Sequence, residues 1–130
     1  VSREELFRNS DVLSLHCAAT PDTREIVNRA SLAMMKPSAI LINTARGALI
    51  DSAALAQALN DGTIYAAGLD VVDREPILPD NPLLTAKNCL ITPHAAWLAA
   101  DVRRRLVRIA AENLEAFLND KRLNRVDLEE

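Results

Sequence analysis

Residues 39–47, with the sequence Ala-Ile-Leu-Ile-Asn-Thr-Ala-Arg-Gly, form a short apolar run that stops at Asn43 and is followed by Arg46 and Gly47. A run of this length and composition is typical of a strand buried on both faces of a parallel sheet. In open parallel sheets, ligands bind in the crevice beyond the carboxyl ends of the strands. The stretch therefore predicts a parallel sheet with Arg46 at its ligand-binding edge.

The same pattern occurs in three more places along the chain. Apolar runs end immediately before His16, before Asp70 and before the tripeptide Thr92-Pro93-His94. Because the carboxyl ends of parallel strands meet at one edge of a sheet, these polar residues predict a site on that edge. Helical segments alternate with the strands and are expected at residues 3–9, 22–27, 29–35, 52–61 and 98–119. Strands and helices in this order predict an α/β fold with right-handed parallel crossovers.

The helix boundaries are marked by capping residues. Ser2 and Glu5 have the spacing of a capping box, and Asp51 is an N-cap candidate for the helix that Gly62 ends. In the long helix 98–119, apolar residues spaced by three to five predict an inward stripe, formed by Leu98, Val102, Leu106, Ile109, Leu114 and Phe117. Residues 72–88 contain three prolines and no strong period, so we expect a long loop, which is often functional.

The composition is that of an ordinary globular protein and limits the possible functions. The 130 residues are 49% hydrophobic and 25% charged, with a net charge of -3, which argues against general nucleic-acid binding. The sequence contains no apolar run long enough to span a membrane. Cys17 and Cys89 both lie near strands, and we interpret them as buried thiols in a reducing compartment, which favours the cytoplasm. A zinc set of these two cysteines with His16 and His94 has unsuitable spacing, so no metal site is expected.

Three side chains have the chemistry of a catalytic site. The Arg46 guanidinium suits a carboxylate, which it can bind with two parallel hydrogen bonds, and Gly47 permits unusual backbone angles or a close approach. His94 and Glu75 could meet in space, and a carboxylate beside an imidazole orients the ring for general acid catalysis. Each residue also has a simpler interpretation. Arg46 could lie in a surface turn, His94 could be a capping or core histidine, and Glu75 could be a solvated loop charge.

Together these motifs resemble a known family. Asn43-Thr44-Ala45-Arg46-Gly47, Gly68-Leu69-Asp70-Val71, Glu75-Pro76 and Thr92-Pro93-His94 are similar, in order and spacing, to the motifs of the D-isomer-specific 2-hydroxyacid dehydrogenases. The resemblance extends from Ser2 to about Leu118. It implies part of a Rossmann-type, doubly wound parallel sheet with flanking helices, in an NAD- or NADP-dependent oxidoreductase. The segments 80–84 and 92–97 most resemble glycerate dehydrogenases, also called hydroxypyruvate reductases.

The resemblance also implies roles for individual residues. Arg46 matches the arginine that binds the substrate carboxylate, His94 the acid/base histidine, and Glu75 the glutamate paired with it. Asp70 matches an aspartate that contacts the nicotinamide carboxamide. Further matches to positions that line the dinucleotide are His16, Thr44, Ala45, Arg46 and His94. The implied substrate is a small 2-oxo or 2-hydroxy acid, and the implied assembly is a homodimer.

Some parts of the family pattern are not in this sequence. Its glycine-rich loop, the acidic residue that selects the cofactor, and most of the substrate domain would lie outside these residues. We therefore expect residues 1–97 to be the C-terminal portion of the cofactor domain and 98–130 a long helix and tail returning toward the substrate domain. The isolated chain is expected to self-associate through an open strand edge or to be poorly stable, to bind NADH weakly or not at all, and to be inactive. The alternative function is a non-catalytic NAD-sensing module or corepressor of the same fold.

Overall fold

The computed structural model describes residues 1–126 and divides into two compact units, Val1–Ala95 and a second unit that begins at Ala96. The first unit contains a four-stranded parallel sheet with the strand order β1-β2-β3-β4. The strands are β1 (Val12–Leu15), β2 (Ile40–Asn43), β3 (Ala66–Leu69) and β4 (Cys89–Ile91). The sheet and its flanking helices confirm the predicted α/β, Rossmann-type architecture.

The helices predicted over 3–9 and 52–61 are present to within one residue, whereas the helix predicted over 29–35 ends at Leu32 and is followed by a turn. The α-helices are α1 (Arg3–Asn9), α2 (Arg29–Leu32) and α3 (Ser52–Asn60) in the first unit and α4 (Ala100–Leu118) in the second. Ser2 and Glu5 form the capping box of α1, and the Asp51 carboxylate accepts hydrogen bonds from the first amides of α3. Gly62 follows α3 with a φ of 73°, a conformation that favours glycine. Short 3₁₀ helices occupy Gly47–Leu49 and Pro82–Thr85.

The core of the first unit lies on one face of the sheet. Along β1, β2 and β3 every second side chain is buried, and the side chains between them are half-buried or exposed. The prediction that residues 39–43 are buried on both faces is therefore wrong. Right-handed crossovers between strands in sequential order all run over the same face, so the segments between the strands cover that face. Leu41 and Leu55 are completely buried there, and each such side chain contributes roughly 1.5–3 kcal/mol.

One predicted helix is absent because its backbone pairs with another segment. Residues 22–27 were expected to be helical, but residues 21–25 form turns and Val27 forms a parallel bridge with Ile50. The Val27 amide donates to the Leu49 carbonyl, and the Val27 carbonyl accepts from the Asp51 amide. Both polar groups of Val27 are therefore used by the bridge, which orients the residues that lead into α3.

Two burial predictions are also corrected. Cys17 is exposed because it lies in the loop beyond the end of β1, whereas Cys89 is half-buried in β4. Both cysteines are free thiols, as expected, and burial raises the pKa of the Cys89 thiol. The predicted inward stripe of α4 is largely exposed, with Phe117 76% and Leu114 59% accessible. Helical spacing identified an apolar side of α4 but could not specify whether another element covers it. No helix among residues 1–126 has the length and apolar character that crossing a membrane requires.

Candidate functional site

The carboxyl ends of the four strands are aligned by the register of the sheet. Leu15 lies opposite Asn43, Asn43 opposite Leu69, and Leu69 opposite Ile91. The chain therefore leaves all four strands at the same edge. The residues that follow the strands there include most of the predicted site residues, namely His16, Thr44, Ala45, Arg46, Asp70 and His94.

At this edge His94 and Glu75 form a hydrogen-bonded pair. The His94 Nδ1 and Glu75 Oε2 atoms are 2.7 Å apart, and the two side chains are 48% and 39% exposed. The other carboxylate oxygen, Glu75 Oε1, accepts a hydrogen bond of 3.3 Å from the Val72 amide. The hydrogen bond from His94, assisted by the Val72 amide, holds the pKa of Glu75 below its usual value. Glu75 therefore remains a carboxylate and orients the imidazole.

A second carboxylate holds the turn that contains His94. Asp70 is 5% exposed, and its Oδ1 atom accepts hydrogen bonds from the Thr92 hydroxyl and, at 2.8 Å, from the Ala95 amide. The Asp70 carbonyl accepts a further hydrogen bond of 2.9 Å from the His94 amide. His94 has a φ of 53°, which is uncommon for a residue other than glycine. Asp70 thus stabilises the unusual backbone that presents the His94 side chain.

These three side chains border a single cavity. It has a volume of about 660 Å³ and is lined mainly by apolar side chains, together with Asp70, Glu75, His94 and Thr92. A mostly apolar cavity with a few convergent polar groups is typical of a small-molecule site. The apolar residues of its lining are Val72, Pro76, Ile77, Leu84, Ile91 and Pro93.

The remaining predicted residues lie at the same sheet edge but do not line this cavity. Arg46 is exposed, and its Nη1 atom donates a hydrogen bond of 2.6 Å to the neighbouring Ala45 carbonyl. His16 is exposed and pairs through Nε2 with the Ser14 hydroxyl at 2.9 Å. Thr44 is exposed as well. The structure therefore brings Asp70, Glu75 and His94 together and places the other residues along the edge of the sheet.

The sequence did not reveal the buried side chain that fixes the Arg46 loop. Asn43 is completely buried, its Oδ1 atom accepts a hydrogen bond from the Ala45 amide, and its Nδ2 atom donates to the Arg46 carbonyl, both at 2.9 Å. A side-chain amide provides both groups, which an apolar residue at this position could not. The available signal was an asparagine at the end of an otherwise apolar strand. Such a residue must find partners if it is buried.

The donor set at the sheet edge fits a dinucleotide better than a metal ion. Among the residues that the structure describes, no group of three His, Cys, Asp or Glu side chains could hold a metal ion. The Thr44 hydroxyl, the Arg46 guanidinium and the His16 ring are exposed at the edge where parallel α/β sheets bind nucleotides. Hydroxyl, guanidinium and imidazole groups can form hydrogen bonds with the sugar and phosphate groups of a dinucleotide. These residues could therefore hold a dinucleotide.

Comparison with known proteins agrees with this geometry. Hydroxypyruvate reductase from Blautia hydrogenotrophica is 50% identical over 127 residues, which is 98% of this chain and 39% of the relative. Glycerate dehydrogenase from Methylorubrum extorquens is 46% identical over 129 residues, 98% of this chain and 41% of the relative. The chain thus spans about two fifths of the length of these relatives.

A solved structure and a family model also match this chain. An acyclic imino acid reductase, solved in complex with NADPH and D-Arg, superimposes with a TM-score of 0.87 at 39% identity, over 95% of this chain and 39% of that one. Residues 1–96 match the family model described as the NAD-binding domain of the D-isomer specific 2-hydroxyacid dehydrogenases. The chain therefore belongs to the D-isomer specific 2-hydroxyacid dehydrogenase family.

Proposed function

We propose that this chain is part of a nicotinamide-dependent reductase of small 2-oxo acids, in which His94 is the proton donor. The observation that supports this most directly is the 2.7 Å hydrogen bond between His94 Nδ1 and Glu75 Oε2 at a cavity of about 660 Å³. The relatives named hydroxypyruvate reductase and glycerate dehydrogenase suggest hydroxypyruvate as the first substrate to test.

In the proposed reduction, a nicotinamide cofactor, when bound, would supply a hydride to the substrate carbonyl carbon. The His94 imidazolium donates its Nε2 proton to the oxygen that develops negative charge on that carbon. Glu75 accepts the Nδ1 hydrogen bond throughout, so the ring keeps its orientation and the positive charge is stabilised before transfer. In the reverse direction the neutral ring accepts the hydroxyl proton. General acid–base groups of this kind contribute typically about 10²–10⁴-fold to rate.

Two further groups bind and orient the reactants in this proposal. Arg46 binds the substrate carboxylate, because a guanidinium provides two parallel donors in a fixed geometry. Asp70 contacts the nicotinamide carboxamide while its Oδ1 atom holds the His94 turn. His16, Thr44 and Ala45 line the dinucleotide. We propose that the whole protein is a cytoplasmic homodimer and uses NAD or NADP.

The test is NADH and NADPH oxidation by the longest natural protein that contains this chain, with hydroxypyruvate and glyoxylate as substrates. His94→Gln is expected to lower kcat by about 10²–10⁴-fold, because it retains a polar side chain but cannot transfer a proton. His16→Gln is the matched comparison at the other histidine of the chain and should act mainly on the KM for the cofactor. Turnover that survives His94→Gln would move the proton donor to another residue. Cofactor binding without turnover of any 2-oxo acid would favour the non-catalytic NAD-sensing function instead.

A further inference from the structure

Gly47 directly follows Arg46 and packs against the main chain of another loop. It is buried, and a Cβ atom placed on it would lie 2.5 Å from the Asp73 amide nitrogen and closer still to the Val72 carbonyl. Both of these groups belong to the backbone, so neither can rotate away from an added methyl group. Gly47 is not among the residues with a positive φ, so the close contact, rather than backbone freedom, requires a glycine. The close approach that the sequence suggested is thus an approach to the protein's own main chain.

The loop on the far side of this contact carries Glu75, the hydrogen-bond partner of His94. The Val72 amide donates to Glu75 Oε1 at 3.3 Å, and Glu75 Oε2 pairs with His94 Nδ1 at 2.7 Å. A displacement of residues 72–73 would therefore change the position of the Val72 amide relative to the carboxylate. That displacement would reach His94 through the Glu75 side chain.

The loop on the near side is fixed to the sheet. The Asn43 side chain accepts from the Ala45 amide and donates to the Arg46 carbonyl, both at 2.9 Å. The backbone that leads into Gly47 is therefore held at the end of β2. A methyl group on Gly47 would move the Val72–Asp73 segment more readily than the loop that Asn43 holds.

We propose that Gly47 is a positioning residue that sets the distance between the Arg46 loop and the Glu75–His94 pair through its contact with the backbone of Val72 and Asp73. The inference rests on the proposed dehydrogenase function only for its catalytic consequence. Its structural part concerns the environment of the Glu75 carboxylate and can be measured without turnover.

The first test follows the Glu75 carboxyl by NMR in the longest natural protein containing this chain, labelled with ¹³C at the glutamate carboxyl carbons. The Glu75 signal is assigned as the one missing in Glu75→Gln. Gly47→Ala is expected to raise the pKa of Glu75 part of the way toward its usual value, because the hydrogen bond with His94 remains while the Val72 amide no longer supports the carboxylate. The other side chains that influence this titration, His94 and Asp70, are retained in the variant.

Gly68→Ala is the matched control for the same chemical change. A Cβ on Gly68 in β3 would lie 3.1 Å from the Ile42 Cδ1 atom, which is the movable end of a side chain. This variant should leave the Glu75 titration unchanged. An equal titration in Gly47→Ala and wild type would overturn the proposal, whatever the enzyme assay gives.

The second test measures catalysis in the same proteins. If the wild type reduces a 2-oxo acid, Gly47→Ala should lower kcat by about tenfold to a hundredfold, since small displacements of catalytic groups have effects of this size. A wild type without turnover would contradict the proposed function but leave the NMR result valid. Normal kcat in an active Gly47→Ala variant would overturn the positioning role.

A measurement on the wild type covers the case in which Gly47→Ala does not fold. The amide signals of Val72 and Gly47 are expected to follow the titration curve of Glu75. The Val72 amide donates to the Glu75 carboxylate, and Gly47 packs against the Val72 backbone. In Glu75→Gln both signals should lose that pH dependence. A Gly47 amide that does not respond to the Glu75 titration would contradict the coupling.

Discussion

Replacement of Asp70 by alanine is expected to destabilise the fold well beyond an ordinary surface substitution. The substitution removes a buried acceptor that binds the Thr92 hydroxyl and the Ala95 amide. Hydrogen bonds to charged groups contribute about 1.5–3 kcal/mol each. Because Thr92 is exposed and its hydroxyl can turn to water, we take the lower value for each bond. The expected loss in the free energy of unfolding is therefore about 3 kcal/mol.

The chain offers a matched control in Asp73→Ala. The Asp73 carboxylate also accepts two hydrogen bonds, from Ser52 Oγ at 3.2 Å and Asn81 Nδ2 at 3.3 Å, but Asp73 is exposed. Water can replace the carboxylate for both donors, so the expected loss is about 1 kcal/mol or less. Thr92→Val removes one of the two Asp70 partners and should fall between the two alanine variants.

The assay is thermal unfolding of the 130-residue chain, followed by far-ultraviolet circular dichroism at low protein concentration. For a chain of this size a loss of 3 kcal/mol lowers the Tm by roughly 10 °C. An Asp70→Ala variant that is already unfolded at the start of the scan would also agree with the prediction. Equal Tm values for Asp70→Ala and Asp73→Ala would refute the conclusion that the Asp70 carboxylate holds the His94 turn.

Four further outcomes are expected. Leu41→Ala, at a fully buried position, should lower the free energy of urea unfolding by about 3 kcal/mol, whereas Leu90→Ala, 69% exposed, should change it by less than about 0.5 kcal/mol. Because the folded-state pKa of Glu75 is lowered, its stabilising contribution is present above the ordinary value of 4.5 and is lost as the pH falls through the lowered pKa. In urea titrations at several pH values, the difference in the free energy of unfolding between wild type and Glu75→Gln should therefore shrink as the pH falls below 4.5. Light scattering should detect self-association of the wild-type chain, and Val12→Lys, which places a charge at the β1 edge, should reduce it. A monomeric wild type would contradict this expectation. Calorimetry should find weak or no NADH binding to the isolated chain, and tight stoichiometric binding would contradict that expectation.

The strand positions were predictable from the sequence because each strand is a short apolar run with a polar residue at its carboxyl end. The capping residues Ser2 and Asp51 act locally, so their effect on helix boundaries could also be predicted. Coverage of the second sheet face was not predictable in the same way. An apolar side chain such as Ile42 indicates the capacity for burial, but the coverage depends on elements distant in sequence.

The site was predictable in its residue types but not in its connections. The sequence indicated that Glu75 and His94 could meet, and the structure gives their hydrogen bond and its support from the Val72 amide. Every residue except proline has a main-chain N–H group, so the residue type does not show which amide will donate to a side chain. The role of Asn43 depends on its burial, and one polar residue at the end of an apolar run does not show whether its side chain is buried.

The order of the strands has a consequence for how the chain folds. Val12 pairs with Ile40, Ile40 with Ala66, and Ala67 with Cys89, so each strand finds its neighbour fewer than 30 residues away in sequence. Loop closure over such separations costs little more than closure of a shorter loop. The sheet can therefore grow strand by strand from the amino-terminal end as the chain emerges during synthesis. The pairing of β3 with β4 would bring His94 to Glu75 last.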